Sequence, residues 1–390
     1  MASRLISRDL LKGILPVIIT GGRPKLGSRP TSLMLHALNG ITAPPVWVVS
    51  SVDAPGYESD GHEISVYGRD WAEDYAAEHW MGMELLVKGS DAFLGAFAGR
   101  EWACRLAEER GCWAVLQLDD NLIDLSLFRR HYTACSRIAE DEGGLGMYAD
   151  VLAAITLSTN GWMTGAFLTA VPPSNEKLVI SRTGFPYSLF LERIGAGREE
   201  WYGPYEDDIT HAYQYGNNTD NSTALLVPML GYMKEHASAT GMRKNYNSAR
   251  SVSLQRIFPE TAKIGIYNGK ANGRGGSRVF HKMIPGAIRT PMIVTDRELY
   301  ASVGSYLSEL AKRFSRDYRK AVQIRAEDKA RKARVSLGMA GEPDLIVSQD
   351  AAPAAVFRPE PDSSPEPATE KADYWKTPTW MPNQTWSKSL

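Results

Sequence analysis

Trp113-Ala114-Val115-Leu116-Gln117-Leu118-Asp119-Asp120-Asn121 is the stretch that decides the fold. Its mostly apolar first six residues fit a buried strand. The strand opens without a spacer onto two adjacent carboxylates. Just upstream, Gly99 to Arg110 has helical character and stops at Gly111, where a C′ glycine belongs. A helix followed by a buried strand is the repeating unit of a mostly parallel sheet covered on both faces. In such sheets ligands bind at the carboxyl ends of the strands, which is where the acidic residues fall.

The same alternation continues on the N-terminal side. Leu15 to Thr20 reads as a strand ended by Gly21-Gly22, Thr31 to Leu38 as a helix, and Val46 to Ser51 as a second strand closing on Asp53. Glu63 to Tyr67 is a further strand and Trp71 to Val87 a helix interrupted by Gly82. Beyond Leu152 the pattern loosens. Apolar segments at Ile155–Ser158, Ala166–Val171, Leu178–Ile180, Ala224–Met229 and Ile264–Tyr267 are expected as strands between long polar loops. Glu298 to Arg334 is expected as one long helix or a pair, and the Pro, Ala, Ser and Glu-rich stretch from Gly338 as disordered. The expected organisation is an α/β domain over residues 1–295, a basic helical extension over 296–335 and a tail over 336–390.

The 390 residues are 43% hydrophobic and 23% charged, enough for a substantial core, and the formal net charge of -1 gives no whole-chain sign of a nucleic-acid partner. Three cysteines, Cys104, Cys112 and Cys135, suit a reducing compartment better than a disulfide framework. Arg4, Arg8 and Lys12 are followed by an apolar run too short for a signal sequence or a membrane span. The expectation is a cytoplasmic protein with no membrane partner.

Two adjacent carboxylates at a strand end repel each other unless positive charge sits beside them. A divalent ion with oxygen ligands, Mn2+ or Mg2+, is one solution, since such ions bind through one or two carboxylates plus substrate phosphates. An acidic turn, or an N-cap for a helix starting near Leu125, is the other reading. A second acidic cluster, Glu206-Asp207-Asp208, follows Trp201-Tyr202-Gly203-Pro204-Tyr205 and opens a short helix expected from Asp208 to Tyr215. Acidic residues favour helix N-termini, which accounts for one carboxylate better than for three. Lys270 to Arg278, with Arg274 and Arg278, is a glycine-rich basic loop that suits either a diphosphate or an open surface. Lys312 to Arg334 holds ten Lys or Arg against three acidic residues, a pattern for a phosphate backbone or for a solvated helix.

The run from Gly99 to Asn121 resembles the GT-A glycosyltransferases, in which an Arg-containing helix, a glycine, a buried strand and a DxD-type motif come in this order. The resemblance spans roughly Leu15 to His281. It implies a GT-A, Rossmann-like α/β fold and a metal-dependent transfer from a nucleotide-sugar donor, a uridine diphosphate sugar being the expected one. It further implies a nucleotide-sugar site from Thr20, Gly21, Arg23, Asp53, Arg100 and Asp119, and metal ligands at Asp120, Asn121 and His281. Asp207, with Glu206 as its alternate, takes the place of the catalytic base. The Gln-Leu-Asp-Asp-Asn form is similar to the TET-associated glycosyltransferases, encoded mainly by phages and associated with hydroxymethylated bases in DNA. That likeness implies double-stranded DNA carrying modified bases as partner, with Arg274, Arg278, Arg316 and Lys320 on the DNA. The chain departs from the pattern with Arg100-Glu101 in place of Arg-Asn and with Asn121 in the motif's third position. A polysaccharide or protein acceptor, a nucleotidyltransferase and a binding module that keeps only the scaffold are the competing readings.

Overall fold

The strand Ala114–Asp119 (β4) is buried along its length except for the half-buried carboxylate at its end. Its alternate side chains feed two separate cores. Leu116 and Leu118 point into one, and Val115 into the other. A strand covered on both faces reads as a continuous apolar run, which is why this one was visible in the sequence. The computed structural model describes residues 4–24, 29–57, 61–79, 96–128, 135–137, 143–168, 179–203, 206–235, 249–260, 262–268, 277–284, 286–313 and 327. The described residues divide into two compact units, one formed by those up to 235 and from 288 on, the other by those within 249–287.

The first unit is built on a 10-stranded sheet that contains β4. Its other strands are Ile14–Ile19 (β1), Val46–Ser50 (β2), Glu63–Tyr67 (β3), Leu122–Phe128 (β5), Cys135–Arg137 (β6), Gly161–Leu168 (β7), Arg182–Thr183 (β8), Leu189–Arg193 (β9) and Thr223–Lys234 (β10). They lie in the order β3-β2-β1-β4-β9-β7-β10-β5-β6, with β8 on β10. β3, β2, β1 and β4 pair in parallel, β9 runs against both β4 and β7, and β10 pairs in parallel with β7. Seven strands therefore run one way (β1, β2, β3, β4, β6, β7 and β10), and this is the mixed α/β, mostly parallel sheet expected. The chain moves outward from β1 to β2 and β3, then returns to place β4 on the other side of β1. That reversal is a topological switch point, and the crevice outside the carboxyl ends of β1 and β4 is where such sheets bind ligands.

Helices Arg69–His79 (α2), Phe97–Glu109 (α3) and Asp207–Tyr215 (α5) cover one face. Helix Gly144–Ser158 (α4), with the short Arg8–Lys12 (α1) beside it, covers the other. α3 ends as its sequence foretold. Gly111 takes a φ of 66°, its N–H bonds Glu108 O, and Cys112 N bonds Ala107 O, the paired bonds of a Schellman cap.

Four local expectations are corrected. Ile155–Ser158 is the last turn of α4, not a strand. Nearly every residue of that helix is buried, so it lacks the polar face that reveals helical period. Thr31–Leu38 is a 3-10 helix that begins at Pro30. The chain after the acidic motif is β5, paired with β10, so no helix near Leu125 exists for the motif to cap. Of Leu178–Ile180, residues 179 and 180 are not in a strand, and the nearest one is β8. Within the expected helix Trp71–Val87, α2 accounts for the part to His79, and 80–87 lies outside the described residues.

A helix over 297–313 places Val303, Leu307 and Leu310, all buried, in the same core as α4. Its apolar side is therefore integral to the first unit. The remainder of the expected 298–334 helix, apart from residue 327, and the tail beyond 338 lie outside the described residues. The second unit comprises a helix, Ala249–Ile257, and an antiparallel pair, Ala262–Asn268 (β11) with Ser277–Met283 (β12). No helix among the described residues is long and apolar enough to cross a membrane.

Leu307→Ala is expected to lower unfolding free energy by about 2–5 kcal/mol, the range for a large core truncation. Urea unfolding followed by circular dichroism reads it, and an unchanged midpoint would detach the 297–313 helix from the core.

Candidate active site at the switch point

The first two strands to end at the switch point are tied together by side chains. Thr20, directly after β1, donates its hydroxyl to Asp120 Oδ2 at 2.8 Å and lies 3.0 Å from the Tyr57 hydroxyl. Tyr57 OH accepts from Arg23 N at 3.1 Å, which fixes the loop after Gly21-Gly22. Arg23 approaches Asp120 at 3.7 Å and Glu235 at 3.0 Å. A Cβ on Gly21 would stand 3.3 Å from Asp53 Oδ2, so the backbone there passes close to that carboxylate. Thr31 pins the far side of the acidic turn: its hydroxyl donates to Asp119 O at 2.7 Å and accepts from Leu122 N at 2.7 Å.

Arg100 joins this edge to the second acidic cluster. The side chain rises from α3, almost wholly buried, and its Nη2 donates to Asp119 Oδ1 at 2.9 Å while Nε donates to Asp207 Oδ2 at 2.8 Å. Nη1 reaches Gln117 Oε1 at 3.4 Å. The guanidinium carbon also lies 5.3 Å from the Trp201 ring centre and 5.4 Å from that of Phe190. A planar fork with fixed donors suits this bridging, which a lysine could not reproduce.

The electrostatics separate the carboxylates. Burial works to raise the pKa of Asp119, but the charges of Lys234 and Arg100, with hydrogen bonds from Lys234 and Ser188, hold it well below the ordinary range. Asp120 moves the other way. Burial pushes it up to about 6, against the pull of Arg23 and the Thr20 hydrogen bond. Asp208 is pushed up to about 8, first by burial and then by the charge of Asp207, with Arg100 opposing. Asp207 and Asp208 open α5, where the helix dipole favours negative charge. Glu206 precedes them with a φ of 51°, uncommon for a residue with a side chain.

Beneath the site, Glu192 on β9 is fully buried and accepts hydrogen bonds from β4, α3, α5 and the loop at Trp201. Gln117 Nε2 lies at 3.1 Å, Trp201 Nε1 at 3.1 Å, Tyr215 OH at 2.9 Å, Cys104 Sγ at 3.4 Å and His211 Nε2 at 2.6 Å. Burial opposes its charge, yet His211 and the surrounding donors bring its pKa below the ordinary value. Two of those donors, His211 and Tyr215, sit on α5, so this network anchors the helix that carries Asp207 and Asp208.

Among the described residues no group of three His, Cys, Asp or Glu is placed to hold a metal ion. The motif itself offers oxygen donors. Side-chain contacts of Asp120 fall on Oδ2. Asn121 Oδ1 is a buried acceptor that no described donor meets. A hard divalent ion that keeps water and takes phosphate oxygens needs only one or two protein ligands, and this pair fits it.

The structure thus draws Thr20, Gly21, Arg23, Asp53, Arg100, Asp119, Asp120, Asn121, Asp207 and Glu206 to one edge of the first unit. His281 belongs to the second unit, half-buried on β12 opposite Ile264. Arg278 lies on β12 opposite Tyr267, and Arg274, Arg316 and Lys320 fall outside the described residues. Sequence reasoning did not single out Tyr57, Thr31, Glu192, Asp208 as distinct from Asp207, or Lys234, whose Nζ lies 2.6 Å from Asp119 Oδ2. For Lys234 a signal existed: it ends a long apolar run, and the end of a parallel strand belongs to the same edge as Asp119.

No protein-family model matches the sequence, and no curated protein matches it. Solved structures share a distant likeness. A crystal structure of a mycobacterial protein matches at 11% identity and a TM-score of 0.37, over 71% of this chain and 87% of that one. Glucosyl-3-phosphoglycerate synthase from Mycobacterium tuberculosis, crystallised with Mn2+, uridine diphosphate and phosphoglyceric acid, matches at 11% identity and a TM-score of 0.38, over 71% of this chain and 90% of that one. The reading of the site rests on its own side chains.

Arg100→Met leaves Asp207 buried without its partner, and a loss of about 3–5 kcal/mol in unfolding free energy is expected. Urea titration measures it, and a loss below 1 kcal/mol would remove Arg100 from the centre of the site.

Proposed function

We propose that this chain is a glycosyltransferase of GT-A type that takes its sugar from a nucleotide diphosphate donor, a uridine diphosphate sugar being the preferred one. The observation that carries this reading is the Arg100 bridge, which joins a strand-end Asp-Asp-Asn motif at a switch point to a helix-borne pair of carboxyls. The motif's resemblance to GT-A enzymes supports the same reading. A binding module has no need of carboxyls with opposed pKa shifts on one edge.

In this reading the loop after β1, with Thr20, Gly21, Arg23 and Asp53, seats the nucleotide across the crevice. Asp120 and Asn121 would hold Mn2+ or Mg2+, which when bound neutralises charge on the departing diphosphate. Asp119 and Arg100, engaged with each other and with Lys234 and Asp207, brace the donor site from below. The acceptor hydroxyl oxygen bonds to the anomeric carbon, the bond from that carbon to the diphosphate oxygen breaks, and the diphosphate leaves with the electron pair. The hydroxyl proton passes to the Asp207–Asp208 pair. Arg100 holds Asp207 in place, so the proton comes to rest on Asp208, the member whose environment favours the neutral acid. Glu206 is the alternate acceptor.

For the acceptor we propose a hydroxymethylated base in double-stranded DNA. The Gln-Leu-Asp-Asp-Asn form supports it, as does the basic run from Lys312 to Arg334 with Arg316 and Lys320. Arg274 and Arg278 would add phosphate contacts. A base inside a duplex must leave the stack to be reached. Incubating hydroxymethylcytosine DNA with a panel of uridine diphosphate sugars, followed by nucleoside mass spectrometry, should show a hexose added to the base. Free uridine diphosphate with unaltered nucleosides would reject the DNA acceptor while keeping the transferase.

The pH dependence follows from Asp208. A base must be ionised to take a proton, and a carboxyl pushed up to about 8 is mostly protonated at neutral pH. The kcat/KM for transfer should therefore rise with pH and level off above about 8, the limb belonging to the coupled pair. Asp208→Asn should lower kcat by ~10²–10⁴-fold and abolish that limb, with uridine diphosphate binding kept. A variant with wild-type turnover and an unchanged profile would move the base elsewhere.

A further inference from the structure

Lys234 is the last residue of β10 and follows a break in its pairing with β5 between Met233 and Lys234. At that break the chain returns to the acidic motif, with Glu235 N bonded to Asn121 O at 2.8 Å. The ammonium lies 2.6 Å from Asp119 Oδ2 and 2.7 Å from Ser188 Oγ. Ser188 is buried and holds a φ of 56°, a left-handed conformation that is costly for a residue with a side chain. Its carbonyl accepts from Asp119 N at 2.8 Å. One strained residue thus fixes both the ammonium and the carboxylate it meets. With Arg100 on Oδ1 and Lys234 on Oδ2, both oxygens of Asp119 are engaged by protein cations.

An ammonium has three N–H donors and no acceptor. Two are used on Asp119 and Ser188, and no described residue takes the third. The Lys234 side chain is 28% exposed, so that donor is open to a ligand arriving at the sheet edge. Arg100, almost wholly buried and divided between two carboxylates, has no such freedom.

The geometry points to Lys234 as the protein's own cation for the donor's diphosphate, its third N–H taking a phosphate oxygen so that a nucleoside diphosphate binds without a divalent ion. This rests on the nucleotide-sugar reading above and assigns to one side chain a share of the charge neutralisation. Asp119, held ionised by its two cations, serves to aim the ammonium. A divalent ion at Asp120 and Asn121 then adds to binding that Lys234 has begun.

Calorimetry with uridine diphosphate separates the possibilities, run once with EDTA and once with Mn2+, on the wild type, Lys234→Met and Lys234→Arg. Wild type should bind uridine diphosphate in EDTA. Lys234→Met should weaken that binding by about 10–100-fold, the worth of a hydrogen bond to a charged group, and Lys234→Arg should retain most of it. Mn2+ alone, followed by electron paramagnetic resonance, should bind Lys234→Met no more weakly than wild type, because Lys234 is not a metal ligand. Thermal melting of each variant shows whether it is folded. Wild type that binds uridine diphosphate with Mn2+ but not in EDTA overturns the inference and leaves the transferase reading standing. Equal binding by wild type and Lys234→Met in EDTA overturns it as well. Absence of binding under either condition overturns both.

Discussion

A buried guanidinium shared between two carboxylates holds the site together. Arg100 is the only contact by which the strand-end motif and the α5 carboxylate are directly ion-paired among the described residues. Burying one arginine and two carboxylates is unfavourable unless the geometry satisfies them, and here each guanidinium nitrogen has an acceptor. The arrangement also explains the surrounding aromatics. Trp201 and Phe190 shield the guanidinium from water and so strengthen its attraction to both partners.

That bridge needs support on both sides. On the sheet side, the Gln117 oxygen accepts from Arg100 and its nitrogen donates to Glu192, linking the site to the buried carboxylate below. On the helix side, His211 and Tyr215 bring α5 onto the same Glu192, while Trp201 stacks on His211 at 3.8 Å. A residue of β4, one of α3, two of α5 and Trp201 are thus ordered around the single buried charge on β9. The two carboxyls that open α5 owe their position to a network that itself meets no ligand.

What the sequence made legible was local. The β4 run, Gly111 at its cap and Asp119-Asp120 at the strand end each announce themselves within a few residues. The resemblance placed Arg100 at the nucleotide-sugar site, and its approach to both acidic clusters was not legible in the sequence. Lys234 lies 115 residues from Asp119, and Glu192 lies 75 from Gln117. Neither carries a local pattern, because a lysine ending a strand and a glutamate within one are common in sequences and acquire meaning only from the sheet order. α4 was misread for the opposite reason: its pattern was too uniform, since a helix buried on all sides has no period to detect.

The placement of Val303, Leu307 and Leu310 in the main core bears on the order in which the protein can form. The β1 and β4 strands and α4 emerge first from a ribosome, yet the apolar surface around α4 stays uncovered until the chain has been made past residue 310. Between these stages comes the contiguous segment Tyr246–Ala287, whose helix and strand pair contact one another locally and can form while the larger unit is still open. The first unit is thus completed only after Tyr246–Ala287 has been synthesised, and its exposed intermediate is the stage at which a chaperone, or aggregation, would act.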